Sequence, residues 1–360
     1  PDADGLLGDM GGGSLDLVSL NDGELGKSTT LPIGHLRITE AARRSPVVAL
    51  DIIDDNLNSV GWLPEVEGKN FYAVGGIWRL IARIYIQQNN YPLRIIDNLT
   101  VGIDEAIELS EIISNLSKKS LKGIENVGRR WETLPLAALV LNRILRKTGP
   151  KNLIFSGYGL REGQFFDLLP GELKHQDPLI SACEGFAVRG GRFSLASEEI
   201  SIWVSSLFLT SSASDLRLLK SAALLSDIGW SEHPDYRAPH SFTRILRLPI
   251  AGITHRERVI ISLIVFVRYN GSDWHYEVEK VRTLIDQCDY DFAMVAGQTL
   301  RLAHVLSGGV PGLLSQTKLT KTDKGLVLNL GNNKNLFGSE AVRKLVDKLA
   351  GSLQTNCQIE

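Results

Sequence analysis

Asp9-Met10-Gly11-Gly12-Gly13-Ser14-Leu15-Asp16, set between the apolar pairs Leu6-Leu7 and Leu17-Val18, joins a glycine loop to two carboxylates. Glycine permits positive φ and lets a ligand approach the main chain, so a loop of this composition can form a nest of N–H groups for an anion such as phosphate. Ser14 adds a hydroxyl donor. Asp9 and Asp16 bracket the loop, where they can hold Mg²⁺ (or Mn²⁺) against bound phosphate or orient a water for in-line attack. A plain glycine-rich hairpin turn with two solvated aspartates would use the same residues, so the surroundings must decide.

Alternation over Gly5–Leu7, Leu15–Leu20 and Glu24–Leu31 predicts three strands, the last two joined by the hairpin signal Asn21-Asp22-Gly23 and the third ended by Pro32-Ile33-Gly34. Helices are expected over His35–Arg44 and Val48–Val60, then a strand at Asn70–Gly75 and a helix at Ile77–Gln88 that turns Leu80, Ile81, Ile84 and Tyr85 inward. Two further helices, Asp104–Lys119 and Pro135–Lys147, precede a strand at Asn152–Ser156 and a helix at Leu160–Leu169. Glycines stand at the strand-to-helix junctions. Gly75-Gly76 opens a helix whose first N–H groups favour an anion, with Arg79 one turn in. Gly157-Tyr158-Gly159 repeats the arrangement, followed by Arg161 and Glu162. Arg129 and Arg130 follow a glycine-containing loop and, with Lys118, Lys119 and Lys122, form a candidate basic strip for a polyanion; a solvated loop is the alternative.

At 360 residues the chain exceeds one ordinary core, and two or three domains are expected. A formal net charge of −2 gives no overall attraction to nucleic acid or to an anionic membrane, so neither is expected as a partner. Cys183, Cys288 and Cys357 are widely spaced and odd in number, which argues against a disulfide framework or zinc site and suits a reducing cytoplasm. No uninterrupted apolar run reaches the roughly 18 residues that span a bilayer. From Asp177 onward the pattern turns helical after a hinge at Pro170-Gly171, most clearly over Leu216–Leu225 and Arg258–Arg268, and the last helix of that region, Gln298–Leu306, ends at Gly308-Gly309. Beyond Pro311, strands are expected at Leu313–Leu319 and Gly325–Leu330, a turn cluster at Asn332–Asn335, and a helix at Ser339–Leu349.

The loop Asp9–Asp16 resembles the second phosphate loop of the exopolyphosphatase and guanosine pentaphosphatase (Ppx/GppA) family, within the acetate kinase, Hsp70 and actin superfold. Phe71-Tyr72-Ala73-Val74-Gly75-Gly76-Ile77-Trp78-Arg79, Arg129-Arg130-Trp131-Glu132-Thr133-Leu134-Pro135 and Ser156-Gly157-Tyr158-Gly159-Leu160-Arg161-Glu162-Gly163 resemble later segments of that family, in the right order. The resemblance implies α/β plus all-α architecture: an actin-like (ribonuclease H-like) half-domain over residues 1–172, a helical HD-like domain over 173–310, and a small α+β C-terminal region over 311–360. It implies hydrolysis of the terminal phosphate of inorganic polyphosphate, releasing orthophosphate. Asp9 and Asp16 would be catalytic and metal-holding, and Gly11, Gly12, Gly13, Ser14, Gly75, Gly76, Arg79, Arg129 and Arg130 phosphate-binding. Guanosine pentaphosphate (pppGpp) is the alternative substrate, and a sensor that binds polyphosphate or nucleotide without turnover is the alternative class; a sugar or acetate kinase fits the matched segments less well. Oligomeric state is left open, a homodimer included.

The departures from the family pattern are specific. Asp16 stands where the family has glutamate, and Ser226-Asp227-Ile228-Gly229, followed by His233, His240 and His255, lacks the His-Asp pair of a working HD metal site, so a degenerate scaffold is expected. In the family the loop follows an N-terminal half-domain that carries a first phosphate loop and a catalytic glutamate. Neither is in these residues, so the sequence reads as a piece of a longer enzyme and is expected to be inactive, or nearly so, alone.

Overall fold

The computed structural model describes residues 3–117, 119–120, 128–190, 197–271, 275–331 and 339–360, the side chain of Arg129 excepted. The chain divides into two compact units, Pro1–Lys174 and His175–Glu360.

The first unit is built on a sheet of six strands, β1 (Gly5–Met10), β2 (Leu15–Asn21), β3 (Glu24–Leu31), β4 (Asn70–Val74), β5 (Leu99–Gly102) and β6 (Asn152–Phe155), in the order β3-β2-β1-β4-β6-β5. β1, β2 and β3 form an antiparallel meander, while β4 and β6 run parallel to β1. Asp22 and Gly23, both at positive φ, make the tight β2–β3 turn that the Asn-Asp-Gly signal predicts. β3 is an exposed edge of lysine, serine and threonine, a composition that discourages pairing with another chain. This order, a meander extended by parallel crossover strands, fits the actin-like half-domain that the resemblance implies.

Among the described residues the unit also holds helices α1 (His35–Arg44), α2 (Pro46–Asn58), α3 (Trp78–Gln88), α4 (Ile103–Ser114), α5 (Leu134–Thr148) and α6 (Leu160–Asp167), with a short helical turn at Gly171–Lys174. Pro46 starts α2 because its missing N–H would be unpaired at that position in any case. Trp78 is fully buried, packs edge-on against Phe71 of β4, and donates its indole N–H to Ala137 O at 3.1 Å, which ties α3 to α5.

Two expectations differ from the structure in this unit. β5, antiparallel to β6, has no counterpart in the sequence reading; four residues are too short for a period, and pairing to β6 makes the strand. The helix expected to Lys119 ends at Ser114, because Asn115 turns its side-chain amide back onto Glu111 O at 2.9 Å and competes with the next helical turn.

The second unit is mainly helical, with helices Pro178–Gly190, Ser197–Ser205, Ala213–Leu225, Arg237–Leu246, His255–Arg268 and Gln287–Ser307. Its longest helix starts on the Asp286 cap and ends at Gly308 in the left-handed region. A small sheet joins the strands Lys318–Thr322, Gly325–Asn329 and Cys357–Ile359 beside the helix Glu340–Ser352. The strand expected at Leu313–Leu319 is instead a 3₁₀ turn at Leu314–Gln316 followed by the strand from Lys318. The turn cluster Asn332–Asn335 lies outside the described residues.

Candidate phosphate site

Because β1, β4 and β6 are parallel, their C-terminal ends lie at one edge of the sheet, the edge at which open α/β sheets bind ligands. That geometry brings the loops after them, at residues 11–14, 75–77 and 156–159, to the same edge.

The first loop closes through Gly11 N–H donating to Ser14 O at 3.0 Å. Its carbonyls then turn towards α1: His35 N–H donates to Gly11 O at 3.1 Å and Leu36 N–H to Gly12 O at 2.9 Å, so the loop caps the helix. The amides of Gly12, Gly13 and Ser14 donate to no protein group among the described residues, and this part of the loop is partly or fully exposed. None of Gly11, Gly12 and Gly13 stands at positive φ, so the loop does not use the left-handed freedom that the glycines suggest; what it offers an anion is three consecutive amides with no protein acceptor.

Asp9 and Asp16 pair directly across β1 and β2, which puts both side chains on one face of the sheet. Burial, and then the facing Asp16, push the Asp9 carboxyl above its ordinary 3.8, with Arg79 opposing them. Thr30 of β3 donates its hydroxyl to Asp16 Oδ1 at 2.5 Å and fixes that carboxylate. Two carboxylates paired across the strands beside a loop of uncommitted amides suit a divalent cation, which keeps several waters and takes one or two carboxylates plus phosphate oxygens. Among the described residues no group of three or more metal-ligating side chains assembles, so the rest of such a shell would have to come from water and ligand.

The second and third loops are held by the arginines. Gly75, at φ +111°, comes so close to β1 that a Cβ would stand 2.7 Å from Met10 O and 3.1 Å from Asp9 Oδ1. Arg130 Nη1 donates to Gly76 O at 3.1 Å, and Arg79 Nη1 to Gly157 O at 2.8 Å. Asp97 accepts from Gly157 N–H at 2.9 Å, and Glu162 folds back onto Gly159 N–H at 2.8 Å, which lowers its own pKa.

Asp9, Asp16, Gly11 to Ser14, Gly75, Gly76, Arg79 and Arg130 therefore gather at one sheet edge, with both arginines bracing loop carbonyls. The Arg129 side chain, Lys118 and Lys122 lie outside the described residues, and Lys119 is exposed. Sequence reading missed four contributors. Thr30 and Asp97 act through contacts 14 and 60 residues away in the chain, which no local pattern signals. Gly34, read as the end of a strand, lies so close to the loop that a Cβ would come within 2.3 Å of Ser14 N. His35 has no local signature at all; the only hint is its place directly after Ile33-Gly34.

In the second unit Asp227 is bound by Arg268 at 2.8 Å, and Ser226 Oγ lies 2.8 Å from His304 Nε2. His240 instead faces Glu232, and His233 stands beside Asp235. No helix of the described residues is long and apolar enough to cross a membrane.

The profile described as Ppx/GppA phosphatase family matches residues 1–172, and the profile described as exopolyphosphatase, C-terminal, matches residues 179–355. Among curated proteins the chain is similar to retrograde regulation protein 2 of Saccharomyces cerevisiae, 24% identical over 299 residues, covering 74% of this chain and 50% of that protein. The chain thus spans about half the length of that relative. Among solved structures it is similar to the type II variant of the Aquifex aeolicus Ppx/GppA phosphatase, at 19% identity and TM-score 0.37, over 46% of this chain and 57% of that one. An exopolyphosphatase from Cytophaga hutchinsonii is similar at 16% identity and TM-score 0.37, over the same shares of 46% and 57%.

Proposed function

The chain belongs to the Ppx/GppA phosphatase family, and from that premise we propose that its first unit is the phosphate-binding half of a metal-assisted hydrolase acting on the terminal phosphoryl group of inorganic polyphosphate. The observation that carries the reading is the joining of three uncommitted loop amides to a cross-strand carboxylate pair. The amides, with Ser14, would hold the terminal phosphoryl oxygens, and preorganised donors of this kind stabilise the charge that spreads over them during transfer. Asp9 and Asp16 would hold Mg²⁺ or Mn²⁺, which when bound supplies charge neutralisation and a template for water and substrate. Asp9 would also orient the attacking water. The new P–O bond forms from that water, the bond to the bridging oxygen breaks, and orthophosphate leaves with the shortened chain as the other product.

Arg79 and Arg130 would act as positioning residues, a reading supported by their hydrogen bonds to Gly157 O and Gly76 O. The second unit is read as an HD-like scaffold and not as a second centre, supported by the capture of Asp227 by Arg268. A second reading has its own support. Thr30 holds Asp16, and the relative named a regulation protein aligns with 74% of the chain at 24% identity, which supports a module that binds polyphosphate or guanosine pentaphosphate without turnover.

Phosphate release and equilibrium binding, measured on the complete protein with long-chain polyphosphate, pppGpp and Mg²⁺, separate these. Turnover with polyphosphate supports the first reading, and tight binding with no release supports the second. Failure to bind either polyanion contradicts both.

A further inference from the structure

His35 opens α1 directly behind the glycine loop, and its backbone N–H is tied to Gly11 O at 3.1 Å. Its Nδ1 is shielded from solvent and has no hydrogen-bond partner. A buried polar atom left unpaired costs free energy, and such atoms in folded proteins commonly mark a place completed by a ligand or water. The charge that acts on the imidazole is the Arg130 guanidinium. Arg130 donates to Gly76 O at 3.1 Å and, among the described residues, forms no ion pair with a carboxylate.

Several other charged groups of the neighbouring elements are engaged with one another. Glu132 pairs with Arg43, Glu40 with Arg44, and Asp54 of α2 with Arg143 of α5. Asp9 responds to Asp16 and Arg79. Arg37 on α1 and Asp51 and Asp55 on α2 form no ion pair among the described residues, and burial and Arg130 are the causes of the shift at His35. His35 is thus tied through its backbone to the loop of open amides, its ring feels the Arg130 guanidinium, and Arg130 forms no ion pair among the described residues.

Resting on the phosphate reading of the first unit, we propose that His35 is a further phosphate-binding group: it takes one proton from solvent as a phosphoryl oxyanion binds and, as imidazolium beside Arg130, holds that oxyanion against the amides of Gly12, Gly13 and Ser14. The physical basis is linkage. In the free chain burial, and then Arg130, hold the imidazole below its ordinary 6.5, so it is neutral near pH 7. An incoming anion reverses the sign of the local field and favours the charged ring. The same anion supplies the acceptor that a protonated Nδ1 requires. Binding therefore strengthens as pH falls towards 6, and a triphosphate end is gripped by a group whose charge appears only when it is needed.

The test uses inorganic tripolyphosphate and the chain as it stands. Calorimetric titrations at pH 7, in buffers of different ionisation enthalpy, count the protons taken up, and His35→Gln and His35→Ala are compared with the unsubstituted chain by the same method. The unsubstituted chain should take up a measurable fraction of a proton beyond that accounted for by tripolyphosphate itself. Both variants should lose that uptake, and the alanine variant should bind about tenfold more weakly at pH 6, the scale of one charge-assisted hydrogen bond. Histidine NMR on the unsubstituted chain gives a reading independent of variant folding: the His35 titration should move to higher pH when tripolyphosphate is added. Saturable binding with unchanged uptake in both variants, or an unmoved His35 titration, overturns the role of His35 alone. Absence of tripolyphosphate binding by the unsubstituted chain overturns the phosphate reading beneath it.

Discussion

Asp9 stands in an arrangement that trades folding stability for charge. Burial and the opposed Asp16 raise its pKa above 3.8, so the folded chain holds that proton more firmly than the unfolded chain does. The sign follows: the favourable contribution is fully present below about pH 3.8 and is lost as pH rises through the raised value. Asp9→Asn removes the repulsion. The variant should melt at a higher temperature than the unsubstituted chain at pH 7, with the gap closing as pH falls to about 4, as thermal unfolding across pH would read. In the complete enzyme the same substitution should cost about two decades or more in turnover, because metal holding and water orientation are lost together. A melting temperature that falls at pH 7, or turnover unchanged at saturating Mg²⁺ and polyphosphate, would remove Asp9 from its assigned place.

At the scale of elements, the site is a junction: the β1–β2 loop caps α1, and Gly34 lets the two approach. A methyl group at Gly34 would lie 2.3 to 2.5 Å from the backbone of Gly12, Gly13 and Ser14, atoms that cannot rotate away. Gly34→Ala should therefore weaken binding of tripolyphosphate at least tenfold and lower stability by roughly 2 kcal/mol. Near-native affinity measured by calorimetry would show that the loop does not depend on this packing. Why Gly34 escapes sequence reading while Asp9 does not is a matter of range. Asp9, Asp16 and the glycines sit within one hairpin, so their spacing alone places them together. The Asn21-Asp22-Gly23 turn and the periods of α1, α3 and α5 are equally local, and the structure follows them. β5, the strand Cys357–Ile359, Thr30 and Asp97 depend on partners distant in the chain, and short segments made by pairing carry no period of their own. The residue pattern thus contains the loop and its carboxylates, whereas tertiary packing supplies their supports.

For the whole molecule, the two units carry different demands. The helical unit has its own ionic clamp: Arg217 binds Asp177 at 2.5 Å and reaches Glu257 at 3.2 Å, while Asp177 also accepts from the first amides of the helix Pro178–Gly190. Burial alone would raise the Asp177 pKa, but the hydrogen bonds and charge of Arg217, with those amides, outweigh it and set the value below 3.8. Its stabilisation is accordingly present above about pH 3.8 and is lost as pH falls through the lowered value. Asp177→Asn should destabilise the chain by about 1 kcal/mol at pH 7, allowing for solvent screening, and by less at pH 3; chemical denaturation at the two pH values tests this, and a pH-independent difference would contradict it. None of this should touch phosphate binding, which the account assigns to the first unit. The most direct measurement is therefore amide NMR of the isotope-labelled chain during titration with Mg²⁺ and inorganic tripolyphosphate. The account predicts saturable shifts of the Gly12, Gly13 and Ser14 amide signals, with the largest changes confined to the first unit. Saturable binding that leaves those three amides unmoved, or no binding at all, would contradict it.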